Sequence, residues 1–168
     1  MKDHSMTATN EIKLELFADY FQFYIQDEKA DGDLGEKWTT EAVELLLATT
    51  DGTIGVGTVR NMAVPVTVKT FSTEPPFLTD NENVIGQINE CDIKIGSGKI
   101  AIAGCTDYFP DAKRIELDNG VYRSRIYYCN LGKISEDGLD GDHFYEIHLW
   151  RTNHKQELKV IKSRNASC

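Results

Sequence analysis

With 168 residues, 40% of them hydrophobic and 27% charged, the chain suffices for one domain burying about 70% of the surface its unfolded form exposes, without a metal or disulfide staple. Its net charge of −9 is uneven: residues 1–150 hold 26 of the 27 carboxylates against 13 Lys and Arg, while 151–168 carry five basic groups and only Glu157. Such an acidic body disfavours nucleic acid and favours basic proteins as partners. Residues 1–10 are polar and nowhere do 18 apolar residues run together, so neither a signal peptide nor membrane insertion is expected and the chain reads as cytoplasmic.

Residues 1–11 read as a polar extension, 12–150 as a single domain and 151–168 as a basic tail. Alternation of Phe21, Phe23 and Ile25 with Tyr20, Gln22 and Tyr24 predicts one long strand over 12–26. Ile12, Leu14 and Leu16 have the opposite parity, which a bulge near Ala18 would reconcile. After the acidic loop Asp27–Lys37, Thr39 is placed to cap a helix running to about Ala48, with Trp38 and Val43 closing a hydrophobic staple and Val43, Leu46 and Leu47 facing inward. Strands are expected over Thr53–Val59 and Met62–Phe71, with Arg60-Asn61 as the turn between them and Pro65 marking an edge or a break. Ser72–Asn83 is irregular. Strands at about 84–95 and 99–103 flank Gly96-Ser97-Gly98, read as a hairpin loop, and Asn119-Gly120 predicts a type I′ hairpin between Lys113–Asp118 and Val121–Cys129. A second acidic loop, Ser135–Asp142, precedes a core strand at His143–Trp150, and Leu158–Ile161 adds a short edge strand. The pattern predicts a mainly β fold: an antiparallel β-sandwich or flattened barrel of eight or nine strands with one α-helix near the N-terminus.

No constellation of catalytic residues is visible. His143 and His148 are an odd number apart on one expected strand, so they face opposite ways and cannot share a metal or a proton. The loops around Asp27–Asp33 and Glu136–Asp142 hold carboxylates and glycines, but aligning Gly32 or Gly141 with a calcium-loop glycine puts Trp38 or Ile147 where a bidentate Glu is needed. The four cysteines lie far apart without metal-site spacing and read as free thiols. Neither a metal nor a cofactor is expected. Arg123 and Arg125 share one face of a strand; in an acidic body they are expected to pair with carboxylates of neighbouring strands rather than hold an anionic ligand. The glycines at 52, 55 and 57 lie within strand alternation, so they permit a bend or close packing instead of cradling phosphate.

Five segments in order resemble the ComJ family of bacterial competence-associated proteins, inhibitors of the DNA-entry nuclease. They are Asp19-Tyr20-Phe21-Gln22-Phe23, Trp38-Thr39-Thr40-Glu41-Ala42, Asp51-Gly52-Thr53-Ile54 followed by Arg60-Asn61, Leu117-Asp118-Asn119-Gly120-Val121-Tyr122-Arg123, and Tyr145-Glu146-Ile147 through Trp150. The resemblance implies an intracellular, non-enzymatic protein that silences a nuclease by binding it. From charge alone, the candidate partner-binding residues are Asp27, Glu28, Asp31, Asp33 and Glu36 in the first acidic loop and Glu136, Asp137, Asp140 and Asp142 in the second. These would face the basic cleft with which a nuclease holds phosphates. The alternative is a sandwich that binds a small molecule or carbohydrate through aromatics such as Trp38, Tyr108 and Phe109.

Overall fold

Among the described residues, alternating apolar positions punctuated by Gly, Asn and Asp build eleven strands and one short α-helix. The computed structural model describes residues 8–163 apart from 31–32, 60–62, 79–83, 105–106, 108 and 132–142. The elements are β1 (Asn10–Phe17), β2 (Gln22–Asp27), α1 (Thr40–Leu45), β3 (Leu47–Thr50), β4 (Thr53–Gly57), β5 (Ala63–Phe71), β6 (Ile85–Ile95), β7 (Lys99–Gly104), β8 (Lys113–Glu116), β9 (Gly120–Cys129), β10 (Phe144–Arg151) and β11 (Lys159–Lys162). They form a six-stranded sheet ordered β1-β5-β10-β9-β6-β11 and a five-stranded sheet ordered β3-β4-β2-β7-β8. Neither sheet closes on itself as a barrel. The larger sheet is mixed, because β5 and β10 run parallel, with Val66 opposite Tyr145.

Inward positions of both sheets meet in one apolar core: Phe23, Ile25, Ile54, Val56, Ile100 and Ile102 from the smaller sheet, and Val64, Val66, Val68, Ile126, Tyr145 and Ile147 from the larger. Phe23 and Tyr145 pack edge to face across it with ring centroids 5.7 Å apart. Burying such a side chain is worth roughly 1.5–3 kcal/mol, so the shared core holds the two layers together.

The expected strand over 12–26 is two strands in different sheets. β1 pairs with β5 and β2 pairs with β4 and β7, so the change of parity at Ala18 marks a crossing between layers rather than a bulge. A 3-10 turn at Asp19–Phe21 makes the crossing, with Tyr20 and Phe21 both at left-handed φ, 58° and 60°.

The expected hairpins at 96–98 and 119–120 are likewise corners between sheets. β6 lies in the larger sheet and β7 in the smaller, while β8 and β9 are separated in the same way. Asn119 is not at positive φ; Gly120 is, at 152°, and a Cβ there would sit 2.7 Å from Arg151 Nε. The Tyr122 hydroxyl donates to the Asp118 carbonyl at 2.8 Å, a Tyr-to-backbone contact of the kind that pins corners in two-sheet folds. β4 and β5 also belong to different sheets, and Arg60-Asn61, the expected turn between them, lies outside the described residues. Pro65 lies in a strand flanked on both sides, yet it pairs with Glu15 where the β10 ladder has not begun, so its missing N–H meets a local edge.

The helix starts as expected, with Ala42 N–H donating to Thr39 Oγ1 at 3.1 Å, but it stops at Leu45. Leu46 takes a left-handed φ of 59°, and residues from Leu47 onward become β3. The helix's orphan carbonyls are satisfied from the opposite sheet. Gln87 Nε2 and Asn89 Nδ2 donate to Leu45 O at 2.7 and 2.8 Å, and the Tyr128 hydroxyl donates to Leu46 O at 2.6 Å. Leu46 and Leu47 are buried as expected, whereas Val43 is exposed, so the inward-facing triad and the staple fail at Val43. Close packing at the expected glycines does occur: a Cβ at Gly55 would lie 2.6 Å from Leu34 Cδ1, and one at Gly57 would lie 2.9 Å from Leu46 Cα.

Candidate functional site

The described acids of the first loop have different surroundings. Asp27 is buried and its carboxylate points into the protein: Oδ1 accepts from Gly96 N–H, Ser97 N–H and the Ser97 hydroxyl at 3.0, 3.0 and 2.8 Å, and Oδ2 accepts from Lys29 N–H at 3.2 Å. Burial alone would raise this carboxyl, but the hydrogen bonds, led by Ser97, outweigh it and hold the pKa below the usual carboxylate range. Glu28 accepts from Arg114 Nε at 2.8 Å, and that bond lowers its pKa. Asp33 is exposed and folds its Oδ1 onto Gly35 N–H at 3.0 Å, while Glu36 is exposed. Asp31 and the entire second loop, with Glu136, Asp137, Asp140 and Asp142, lie outside the described residues.

The two arginines of β9 pair with carboxylates of the neighbouring strand, as expected. Both stand on the outer face of the larger sheet and each ties down a different irregular segment. Arg123 Nε donates to Asp92 Oδ1 at 3.0 Å and its Nη2 to the His154 carbonyl at 2.6 Å, which fixes the chain leading to β11. Arg125, 0% exposed, donates to Glu90 Oε2 at 2.8 Å, to Glu74 Oε2 at 2.7 Å and to the Pro75 carbonyl at 3.0 Å. Its guanidinium lies 3.7 Å from the centroid of the Phe77 ring and 4.7 Å from that of Trp150. Leu78 N–H donates to the Tyr127 hydroxyl at 3.1 Å, so residues 74–78 are strapped over the sheet. Beside them His148 is buried against Phe71 and Tyr127 and bonds Glu146 at 2.7 Å, while Glu146 also pairs with Lys69 at 3.1 Å. His143 instead packs edge-on against core-facing Tyr145, so the two histidines serve opposite faces. The fixed partners of this face leave it committed to structure.

An open concavity lies at the end of the smaller sheet. A groove of about 530 Å³ is lined by Tyr20, Phe21, Gln22, Trp38, Val43, Leu46, Gly57, Thr58 and Val59, none of them charged. Tyr20, Phe21 and Val43 are 66%, 51% and 54% exposed. Three of the four non-glycine residues with left-handed φ among the described residues, Tyr20, Phe21 and Leu46, line it. A left-handed L-residue costs roughly 1–2 kcal/mol, so the surroundings must impose the conformation. They do: Thr58 N–H donates to Phe21 O and Gly57 N–H to Leu46 O, each at 2.9 Å. Both strained carbonyls are thus held by consecutive residues at the end of β4. Trp38, an expected ligand-facing aromatic, lines the groove, and so do Tyr20 and Phe21, expected in a strand; in the sequence only the reversal of parity at Ala18 signals their turn.

Among the described residues no cluster of three or more His, Cys, Asp or Glu side chains is arranged to hold a metal, and no helix is long and apolar enough to cross a membrane. Cys91 and Cys129 are buried and in no disulfide, and burial pushes the Cys91 pKa up.

No protein-family model matches the chain and no curated protein matches it significantly in sequence. Two solved structures do match. The product of crocagin biosynthetic gene J aligns with a TM-score of 0.53 at 14% identity, over 85% of this chain and 96% of that one. ComJ from Bacillus subtilis, an inhibitor of the DNA-degrading activity of NucA, aligns with a TM-score of 0.61 at 19% identity, over 88% of this chain and 98% of that one. The two-sheet body, with one short α-helix among the described residues, is therefore a ComJ-like fold.

Proposed function

We propose that this chain is a non-enzymatic, protein-binding β-sandwich of the inhibitor type, acting in the cytoplasm and masking the basic surface of a nuclease. The observation that carries the reading is the likeness of nearly the whole fold to ComJ, which inhibits NucA. The charge agrees: a nuclease holds phosphates with basic groups, and a body with net charge −9 is steered toward such a surface. In this reading Glu28, Asp31, Asp33 and Glu36 act with Glu136, Asp137, Asp140 and Asp142 as the contacting acids. Asp27 shapes the loop that carries the first four, because its own carboxylate is occupied by residues 96 and 97. A small-molecule reading draws on the volume of the groove, which falls in the range of ligand sites, but the lining lacks the converging charged groups that fix a polar ligand.

The test measures inhibition of DNA degradation by the nuclease encoded nearest this gene, then association rate against ionic strength. Wild type is compared with a variant carrying Asp31→Asn, Asp33→Asn, Asp140→Asn and Asp142→Asn. The variant is expected to fold normally, because loop carboxylates add little stability, and to associate more slowly at low salt with a flatter salt dependence. Equal rates for the two proteins would remove the acidic loops from the mechanism, and absence of any inhibition would remove the nuclease.

A further inference from the structure

We infer that the groove bounded by Tyr20, Phe21 and Val43 is an anchor pocket, which receives one apolar side chain carried on a Lys- and Arg-rich segment of a partner protein. This rests on the protein-binding reading and identifies the part of the surface that grips. Single exposed apolar residues need no explanation, but two aromatics and a valine, each at least half exposed around one concavity, do. The left-handed backbone at Tyr20 and Phe21, held by the Thr58 N–H on Phe21 O, sets where both side chains leave the chain before any partner arrives, so no backbone ordering is needed on binding. An uncharged lining selects an apolar side chain.

Charge selects what carries that side chain. The segment 33–45, which supplies Trp38 and Val43 to the groove, exposes Asp33, Glu36, Glu41 and Glu44 against Lys37 alone. A second copy of this chain would bring the same acids against them, whereas a basic segment would complement them. The occupant is therefore a basic protein rather than a self-dimer.

The test uses the ¹⁵N-labelled full chain and a synthetic nine-residue peptide with Lys and Arg at both ends and one central Phe. The indole N–H signal of Trp38, in the groove, is expected to shift saturably, while that of Trp150, buried on the other sheet, stays still. Replacing the central Phe by Ala is expected to weaken binding at least tenfold, and a Glu-flanked version is expected not to bind. Phe21→Asn is expected to weaken binding at least tenfold while leaving the thermal midpoint equal or higher, since Asn tolerates the left-handed backbone. Val43→Ser, at an exposed helix position, repeats the test should Phe21→Asn fail to fold. An unmoved Trp38 signal, equal binding of the Ala or Glu peptides, or wild-type affinity in both variants would overturn the pocket. So would self-association that covers Phe21. Peptide binding without nuclease inhibition would leave the pocket standing and remove the inhibitor reading; inhibition without peptide binding would do the reverse.

Discussion

Asp27 and Arg125 are two charges that the fold buries, and each makes a stability prediction. Replacing Asp27 by Ala strands the N–H groups of Gly96 and Ser97 at a corner between sheets, at an expected cost of about 1–3 kcal/mol in a urea titration. Because the folded Asp27 pKa lies below its ordinary 3.8, its stabilisation is present above that value and is lost as pH falls through the lower, folded one. Glu146, for which burial is outweighed by bonds from His148 and Lys69, also has a lowered pKa and adds in the same sense. Unfolding midpoints between about pH 2 and 6 should therefore fall with acid, and the slope should be shallower in Asp27→Asn. Arg125→Met leaves the buried Glu90 carboxylate unpaired and should cost about 3–5 kcal/mol, with much of the loss recovered when Glu90→Leu is added. Glu74 is more than half exposed, so Glu74→Gln should cost under about 1 kcal/mol, measured in the same titration.

Among the elements, the short helix depends on its two ends. Thr39→Ala removes the acceptor for Ala42 N–H and should cost about 1 kcal/mol of unfolding free energy. The start of this helix, the inward valines of β5 and the edge strand near 158–161 were all legible, because capping and alternation are local signals. Strand pairing was not. Alternation tells inside from outside but not which layer a strand joins, and a corner between layers uses the same Gly-Ser-Gly and Asn-Gly sequences as a hairpin. The clamp that makes 96–98 a corner comes from Asp27, 69 residues away from Gly96, so no local window contains it. The groove was hidden for a related reason: Tyr20 and Phe21 continue the apolar alternation of β2, and only their backbone angles take them out of it. The early end of the helix was illegible because Leu46 and Leu47 extend its apolar stripe, while Leu46 itself turns left-handed.

Across the whole molecule, strand order in the larger sheet has little to do with order along the chain. Among the described strands β9 and β10 are its only sequential neighbours, and β10, formed by Phe144–Arg151, is hydrogen-bonded on one side to β5 and on the other to β9. A chain growing from the ribosome therefore lacks the middle of this sheet until residues 144–151 have been made. β1 and β5 can pair early, as can β6 and β9, but within the larger sheet no strand links the two pairs before β10 emerges. Folding should be slow for the chain's size, as expected where partners are distant in sequence. A chain stopped at residue 143 should remain unfolded by circular dichroism, whereas one stopped after 152, without the edge strand β11, should fold with reduced stability. For the cell, any premature end before the last strands would yield a product that exposes unpaired β-edges to aggregation or proteolysis, leaving no half-working fragment to compete with the complete protein.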